Sequence, residues 1–146
     1  MLSKLQALLD LFAQYPDQAE RTELLLGYAD RFREVPPDVA VRPFAKDALV
    51  PHCESEAYVW ALPAADGTMT LHFAVENPSG VSAKALAAIL QRTLSGLPAV
   101  EIAQVDPEIV EKIFRQNISM GKGMGLMSMV QRVQALAKRA LREKTE

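Results

Sequence analysis

Four prolines, Pro36, Pro37, Pro43 and Pro51, occupy the stretch from Val35 to Pro51 and exclude both a helix and a central strand there. Each lacks an N–H to donate, and each pushes the residue before it toward extended backbone. The fold must therefore be divided by an extended connection. Aperiodic connections of this length are uncommon and often functional. This one delivers the chain to Cys53, its single cysteine.

Before the connection the pattern is helical. Leu5, Leu8, Leu9 and Phe12 share one face of a short helix, with Ser3 as cap and Gln6 at the capping-box position. Tyr15-Pro16 ends it. Asp17 caps a second helix, with Glu20 three residues on and Leu24, Leu25, Tyr28 and Phe32 as its apolar stripe.

After the connection the period changes to two. A first strand is expected over 54–62, and Asp66-Gly67 marks a hairpin. From Thr68 to Glu76, Met69, Leu71, Phe73 and Val75 alternate with Thr68, Thr70, His72 and Glu76, giving one buried and one polar face. Asn77-Pro78-Ser79-Gly80 is a turn. Ser82 caps a helix carrying Leu86, Ile89, Leu90 and Leu94, stopped by Ser95-Gly96. Leu97 to Gln104 reads as a short strand or a loop. Asp106-Pro107 opens a short helix to about Phe114. A last helix begins near Gly123 to Gly125 and packs Leu126, Met129, Val130, Val133, Leu136, Ala140 and Leu141. The sum is an α+β fold: a small antiparallel β-sheet covered by helices on one face.

The chain of 146 residues fits a single domain, 1–146, with no internal repeat or boundary. Its 49% hydrophobic and 23% charged residues describe a globular protein. A net charge of -2 argues against a partner surface for nucleic acid. No apolar run reaches the roughly 20 residues of a membrane span, so no membrane role is expected. Met1-Leu2-Ser3-Lys4 leads straight into an amphipathic pattern without a signal-peptide core, and one free thiol suits a reducing cytoplasm.

Cys53 has two readings on its residues alone. Free cysteine is commonly a small buried hydrophobe, and a cysteine delivered by a proline-rich loop is also well placed to meet an outside thiol. Glu54 and Glu56 oppose thiolate formation, while His52, if protonated, favours it. A cysteine hydrolase needs a histidine base, and only His52 and His72 exist. His72 fits a solvated position on the polar strand face. One cysteine and two unclustered histidines give no metal site. Gly121-Lys122-Gly123-Met124-Gly125 suggests a phosphate loop but lacks the Gly-Lys-Ser/Thr ending and the preceding strand. Close entry of the last helix explains these glycines better. Met120, Met124, Met127 and Met129 cluster at that entry, where partly exposed methionines suit an adaptable partner surface. Arg132, Lys138, Arg139, Arg142 and Lys144 make the helix end basic, as its dipole favours.

Several short motifs, in order, resemble the SufE family of sulfur-acceptor proteins. Val50-Pro51-His52-Cys53-Glu54-Ser55-Glu56-Ala57-Tyr58-Val59 is similar to the family's cysteine signature, with Cys53, Ser55 and Tyr58 on its fixed positions. Lys84-Ala85-Leu86 stands where the family reads Lys-Gly-Leu. Ile118 to Leu126 is similar to its last-helix entry, ending in Gly125-Leu126. Besides Ala85, three residues depart from the pattern: His52 replaces a glycine, Lys122 an arginine, and Ser79 an aspartate.

The resemblance implies the SufE/IscU-like form of the α+β fold and a role in sulfur relay. Cys53 would take sulfur from the persulfide of a PLP-dependent cysteine desulfurase and pass it to an iron–sulfur cluster scaffold. His52, Ser55, Lys122 and Gly125 would meet the partner, and no cofactor would be resident. Leu49, Val50 and Tyr58 would shelter Cys53 between encounters, limiting over-oxidation. The sequence is compatible with a homodimer. A non-covalent adaptor that keeps the fold is the second expectation, and a thiol enzyme using His52 or His72 the third.

Overall fold

The computed structural model describes residues 2–145, with side chains through residue 143, so the expectation for Lys144 lies outside the described residues. Helix α1 (Ser3–Ala13) buries Leu5, Leu8 and Phe12 as its spacing predicts. Its cap differs. Leu2 is the N-cap, because its carbonyl already accepts the Gln6 N–H, and its hydrocarbon side chain makes no capping bond. Ser3 is therefore inside the helix, and the Gln6 amide reaches forward to Asp10 at 2.9 Å. Helix α2 (Gln18–Asp30) does begin on the Asp17 cap, whose carboxylate accepts the Glu20 N–H at 3.0 Å.

Arg21 is the surprise of α2. It lies on the same stripe as Leu25 and Tyr28 and is 0% exposed. Its guanidinium donates to the carbonyls of Phe12 at the end of α1 and of Lys112 and Ile113, tying α1 and α2 to the helix beneath. Burial lowers its pKa, and the nearby Arg115 charge adds to the effect. The carbonyl ends of two helices supply the compensating negative potential.

The proline-rich connection runs past both edges of the sheet. Val35 donates to the Phe73 carbonyl at 2.8 Å on one side, and Leu49 bridges to Tyr58 on the other. A single 3-10 turn, Lys46–Ala48, interrupts it, and Arg132 fastens that turn by donating to the Asp47 carbonyl at 2.7 Å.

Strands β1 (Ala57–Pro63) and β2 (Met69–Val75) form an antiparallel two-stranded sheet with Val59 opposite Phe73. Ala57, Val59, Met69, Leu71, Phe73 and Val75 share the buried face, so the alternation read in β2 holds. The first strand starts later than expected. Residues 54–56 form a turn instead, which separates Cys53 from β1. The second face is not bare: Phe44 packs on Tyr58 and Trp60, each at 5.1 Å between centroids, under the Arg42 guanidinium. The outer edge of β2 is closed by the Ser95 hydroxyl and Gln91 amide, which bond the backbone of Leu71.

Helix α3 (Val81–Leu94) packs Leu86, Ile89, Leu90 and Leu94 on the sheet and stops at Ser95, with Gly96 at φ 90°. Gly80 precedes it, so Ser82 lies within the helix and does not cap it. The ambiguous 97–104 segment is neither strand nor loop. It contains a one-turn helix, α4 (Ala99–Ile102), too short to leave a periodic signature. Helix α5 (Ile109–Phe114) follows the Asp106-Pro107 turn. Helix α6 (Met120–Thr145) starts before its glycines, because the Ser119 hydroxyl accepts the Lys122 N–H as a cap. Leu126, Met129, Val130, Val133 and Ala137 bury its inner face. Among the described residues, two strands and six α-helices thus make the α+β fold expected from the sequence.

Candidate functional site

Cys53 sits at the tip of a closed loop. The Val50 N–H donates to the Ala57 carbonyl at 2.8 Å and shuts the loop base, leaving Pro51 to Glu56 as the excursion. Within it the Glu56 N–H returns to the Cys53 carbonyl at 3.2 Å. The loop is also held to the segment after β2, where Asn77 donates to the Ser55 carbonyl and Glu76 to the Glu56 carbonyl.

Two residues of this loop have left-handed backbone, His52 at φ 60° and Glu56 at φ 51°. Neither is glycine, and each conformation costs a non-glycine residue on the order of 1–2 kcal/mol. The glycine that the resemblance expects at position 52 thus has a physical reason. The departure to His52 leaves the conformation in place and adds strain.

Two glycines bring the loop and two helices together. A Cβ on Gly125 would stand 3.0 Å from the His52 carbonyl oxygen and 3.4 Å from Cys53 Cα, so α6 meets the loop backbone directly. A Cβ on Gly80 would stand 2.9 Å from Val75 Cγ1 and 3.1 Å from Ser55 Cβ, so the start of α3 presses on the other side. The close helix entry read from the sequence holds for Gly125, although its glycine belongs to the helix itself.

The result is one small recess of about 20 Å³. Its walls are the loop residues His52, Cys53, Glu54 and Ser55, then Ser82 and Ala83 of α3, and Gly121, Lys122, Gly125 and Leu126 of α6. That volume holds about one water-sized atom. Cys53 is partly buried and packs on the core. Lys122 and Glu54, both exposed, put one charge of each sign at the rim.

All five residues singled out in the sequence, His52, Cys53, Ser55, Lys122 and Gly125, line this recess. Their separation in sequence is bridged by the helix-on-loop contact. The shelter differs from expectation. Leu49 pairs with Tyr58, and the Tyr58 ring stacks with Trp60 on the outer sheet face. The starts of α3 and α6 close over Cys53 in their place. His72 stands opposite Trp60 in the sheet and is not part of the recess. Leu126 falls within the 121–126 segment expected at the site, whereas no motif in the sequence points to Ser82 and Ala83 there. The Ser82 position in the first turn after Gly80 is the one available signal. Among the described residues, no group of three His, Cys, Asp or Glu side chains is placed to hold a metal ion. None of the described helices is long and apolar enough to cross a membrane.

Comparison with known proteins agrees with this architecture. A hypothetical protein from Thermus thermophilus, known from a solution structure, superposes with a TM-score of 0.72 at 27% sequence identity. The match covers 95% of this chain and 96% of the other. No match was found among curated proteins. The family model described as "SufE: Fe-S metabolism associated domain" matches residues 6–137. The chain therefore belongs to the SufE family, whose domain is associated with iron–sulfur metabolism.

Proposed function

We propose that the chain, as one SufE-like domain over 1–146, is a sulfur acceptor and activator of a PLP-dependent cysteine desulfurase, with Cys53 as carrier. The supporting observation is the convergence of the Cys53 loop, Lys122 and Gly125 on one recess. In the transfer, the Cys53 thiolate attacks the outer sulfur of the desulfurase persulfide. A new S–S bond forms on Cys53, the old one breaks, and the desulfurase cysteine leaves as thiolate. One sulfur atom moves without an external oxidant or reductant. A second attack, by a thiol of an iron–sulfur scaffold, hands the sulfur on.

No histidine hydrogen bond to Cys53 is present among the described residues, which favours exchange in a docked complex over free nucleophilic catalysis. His52, Ser55 and Lys122 form the surface that the desulfurase meets, and Gly125, expected there too, is buried beneath the loop and supports it instead. A reducing compartment such as the cytoplasm fits a carrier whose single thiol must be kept reduced between transfers.

The test is mass spectrometry after incubation with a cysteine desulfurase and cysteine. A gain of ~32 Da, one sulfur, on Cys53 is expected, lost on reduction and absent in Cys53→Ser. No gain with any desulfurase from the same source overturns the proposal.

A second reading, a non-covalent adaptor of a desulfurase, has its own observation. Met120 and Met124 are 85% and 65% exposed beside the recess, on the first turns of α6. Desulfurase activation that survives Cys53→Ala unchanged would select this reading.

A further inference from the structure

Away from Cys53, where α2 ends against α3, a recess of about 560 Å³ collects Arg31, Arg33 and Arg92. The Arg31 guanidinium lies 5.1 Å from the Tyr28 ring centroid, and half-buried Phe32 forms part of the wall. Among the described residues, the side chains of Arg33 and Arg92 have neither hydrogen bond nor ion pair. The contrast with Arg42 is direct, because Arg42 bridges Glu34 and Glu76. Asp30 borders the same recess without closing an ion pair to any of the three. Three cations against one anion leave a local excess of positive charge on a chain whose net charge is -2.

We infer that this recess docks an acidic segment of a partner protein. Guanidinium forks pair best with carboxylates and phosphates, and the three here come from the chain leaving α2 and from α3, suiting several anions spread along a chain. A compact inorganic dianion is less suited. The recess lies at the C-terminal end of α2, whose negative dipole end opposes any anion, so binding must rest on the arginine forks. An extended nucleic-acid surface is opposed by the small number of cations and the overall negative charge.

The place of the recess gives it a use. Ser82 of α3 borders the Cys53 recess and Arg92 borders this one, roughly 15 Å further along the same helix at the usual rise per residue. A protein seated over Cys53 thus reaches the arginines with one short segment. That use rests on the proposed function, whereas acidic-segment binding is tested without it.

The probe is a fluorescently labelled octaglutamate peptide, followed by anisotropy and by backbone amide shifts of the full chain. We expect saturable binding at low ionic strength, with shifts centred on 31–33 and 88–92. Arg33→Gln/Arg92→Gln should weaken it about tenfold, and so should physiological salt, as befits exposed charge pairing. Thermal unfolding of the double variant should match the parent, since both side chains are exposed. Cys53→Ser should bind like the parent, which separates this result from failure of sulfur transfer. No saturable binding, binding indifferent to the double variant, or equal binding of inorganic phosphate or a single-stranded oligonucleotide overturns the inference.

Discussion

The α-carbon of Gly125 lies so close under the His52 carbonyl that an added Cβ would stand 3.0 Å from the oxygen. Helix α6 therefore sets the height of the Cys53 loop, and the substitution Gly125→Ala separates two effects. Alanine gains up to about 1 kcal/mol of helix propensity. Crowding the carbonyl costs about 1–3 kcal/mol. A net loss of stability of up to about 2 kcal/mol is expected, together with, on the sulfur-carrier proposal, a marked loss of sulfur acceptance as the loop is displaced. Gly27→Ala is the control. Nothing lies within 4 Å of its Cβ, so urea denaturation should show the propensity gain undiminished, about 1 kcal/mol.

His52→Gly should stabilise the protein. At φ 60° the residue bears a left-handed penalty of about 1–2 kcal/mol, set against about 0.5–1 kcal/mol of extra glycine entropy in the unfolded chain. A net gain of about 0.5–1 kcal/mol is expected by denaturant titration. A loss of stability would show that the His52 side chain makes a compensating interaction.

Arg21→Met should be costly. The substitution leaves the carbonyls of Phe12, Lys112 and Ile113, two of them buried and one part-buried, without their shared donor. A loss of about 3–5 kcal/mol is expected for disrupting such a buried charged network. Arg21→Lys should recover only part, because one ammonium cannot reproduce the planar fork. Equilibrium unfolding of the three proteins checks the order.

Phe44→Ala should loosen the proline-rich connection more than the sheet. Phe44 is its anchor on Tyr58 and Trp60, with aromatic contacts worth about 0.5–1.5 kcal/mol beyond burial. Amide exchange at Val50, whose N–H closes the Cys53 loop, should accelerate ahead of exchange in β2. Equal acceleration in both would indicate global destabilisation.

Where side-chain period and local chemistry act alone, the fold is legible in the sequence. The alternation of Met69, Leu71, Phe73 and Val75, the Asp17 cap and the Ser95-Gly96 stop all have local causes. Helix α6 starts earlier than its residues predict, because glycines discourage helix locally while the Ser119 cap and contact with the His52 carbonyl favour it. Arg21 is hidden for a related reason. Its spacing to Leu25 and Tyr28 puts it on the buried stripe, but its charge suggests solvent unless the carbonyl ends of two other elements are known. The candidate site is legible through motif order. Its walls from α3 depend on a tertiary approach at Gly80 that no periodicity records.

The Val50–Ala57 closure limits how Cys53 can serve two partners. Its loop runs only from Pro51 to Glu56, so even fully extended the thiol travels about 10 Å from its base at the usual span per residue. Such a short leash cannot act as a crane between separate berths. On the sulfur-carrier proposal, donor and recipient must visit the same mouth in turn, and each must leave before the other arrives. A recipient in excess should therefore slow loading by the donor, making traffic order, rather than distance travelled, the variable that governs throughput.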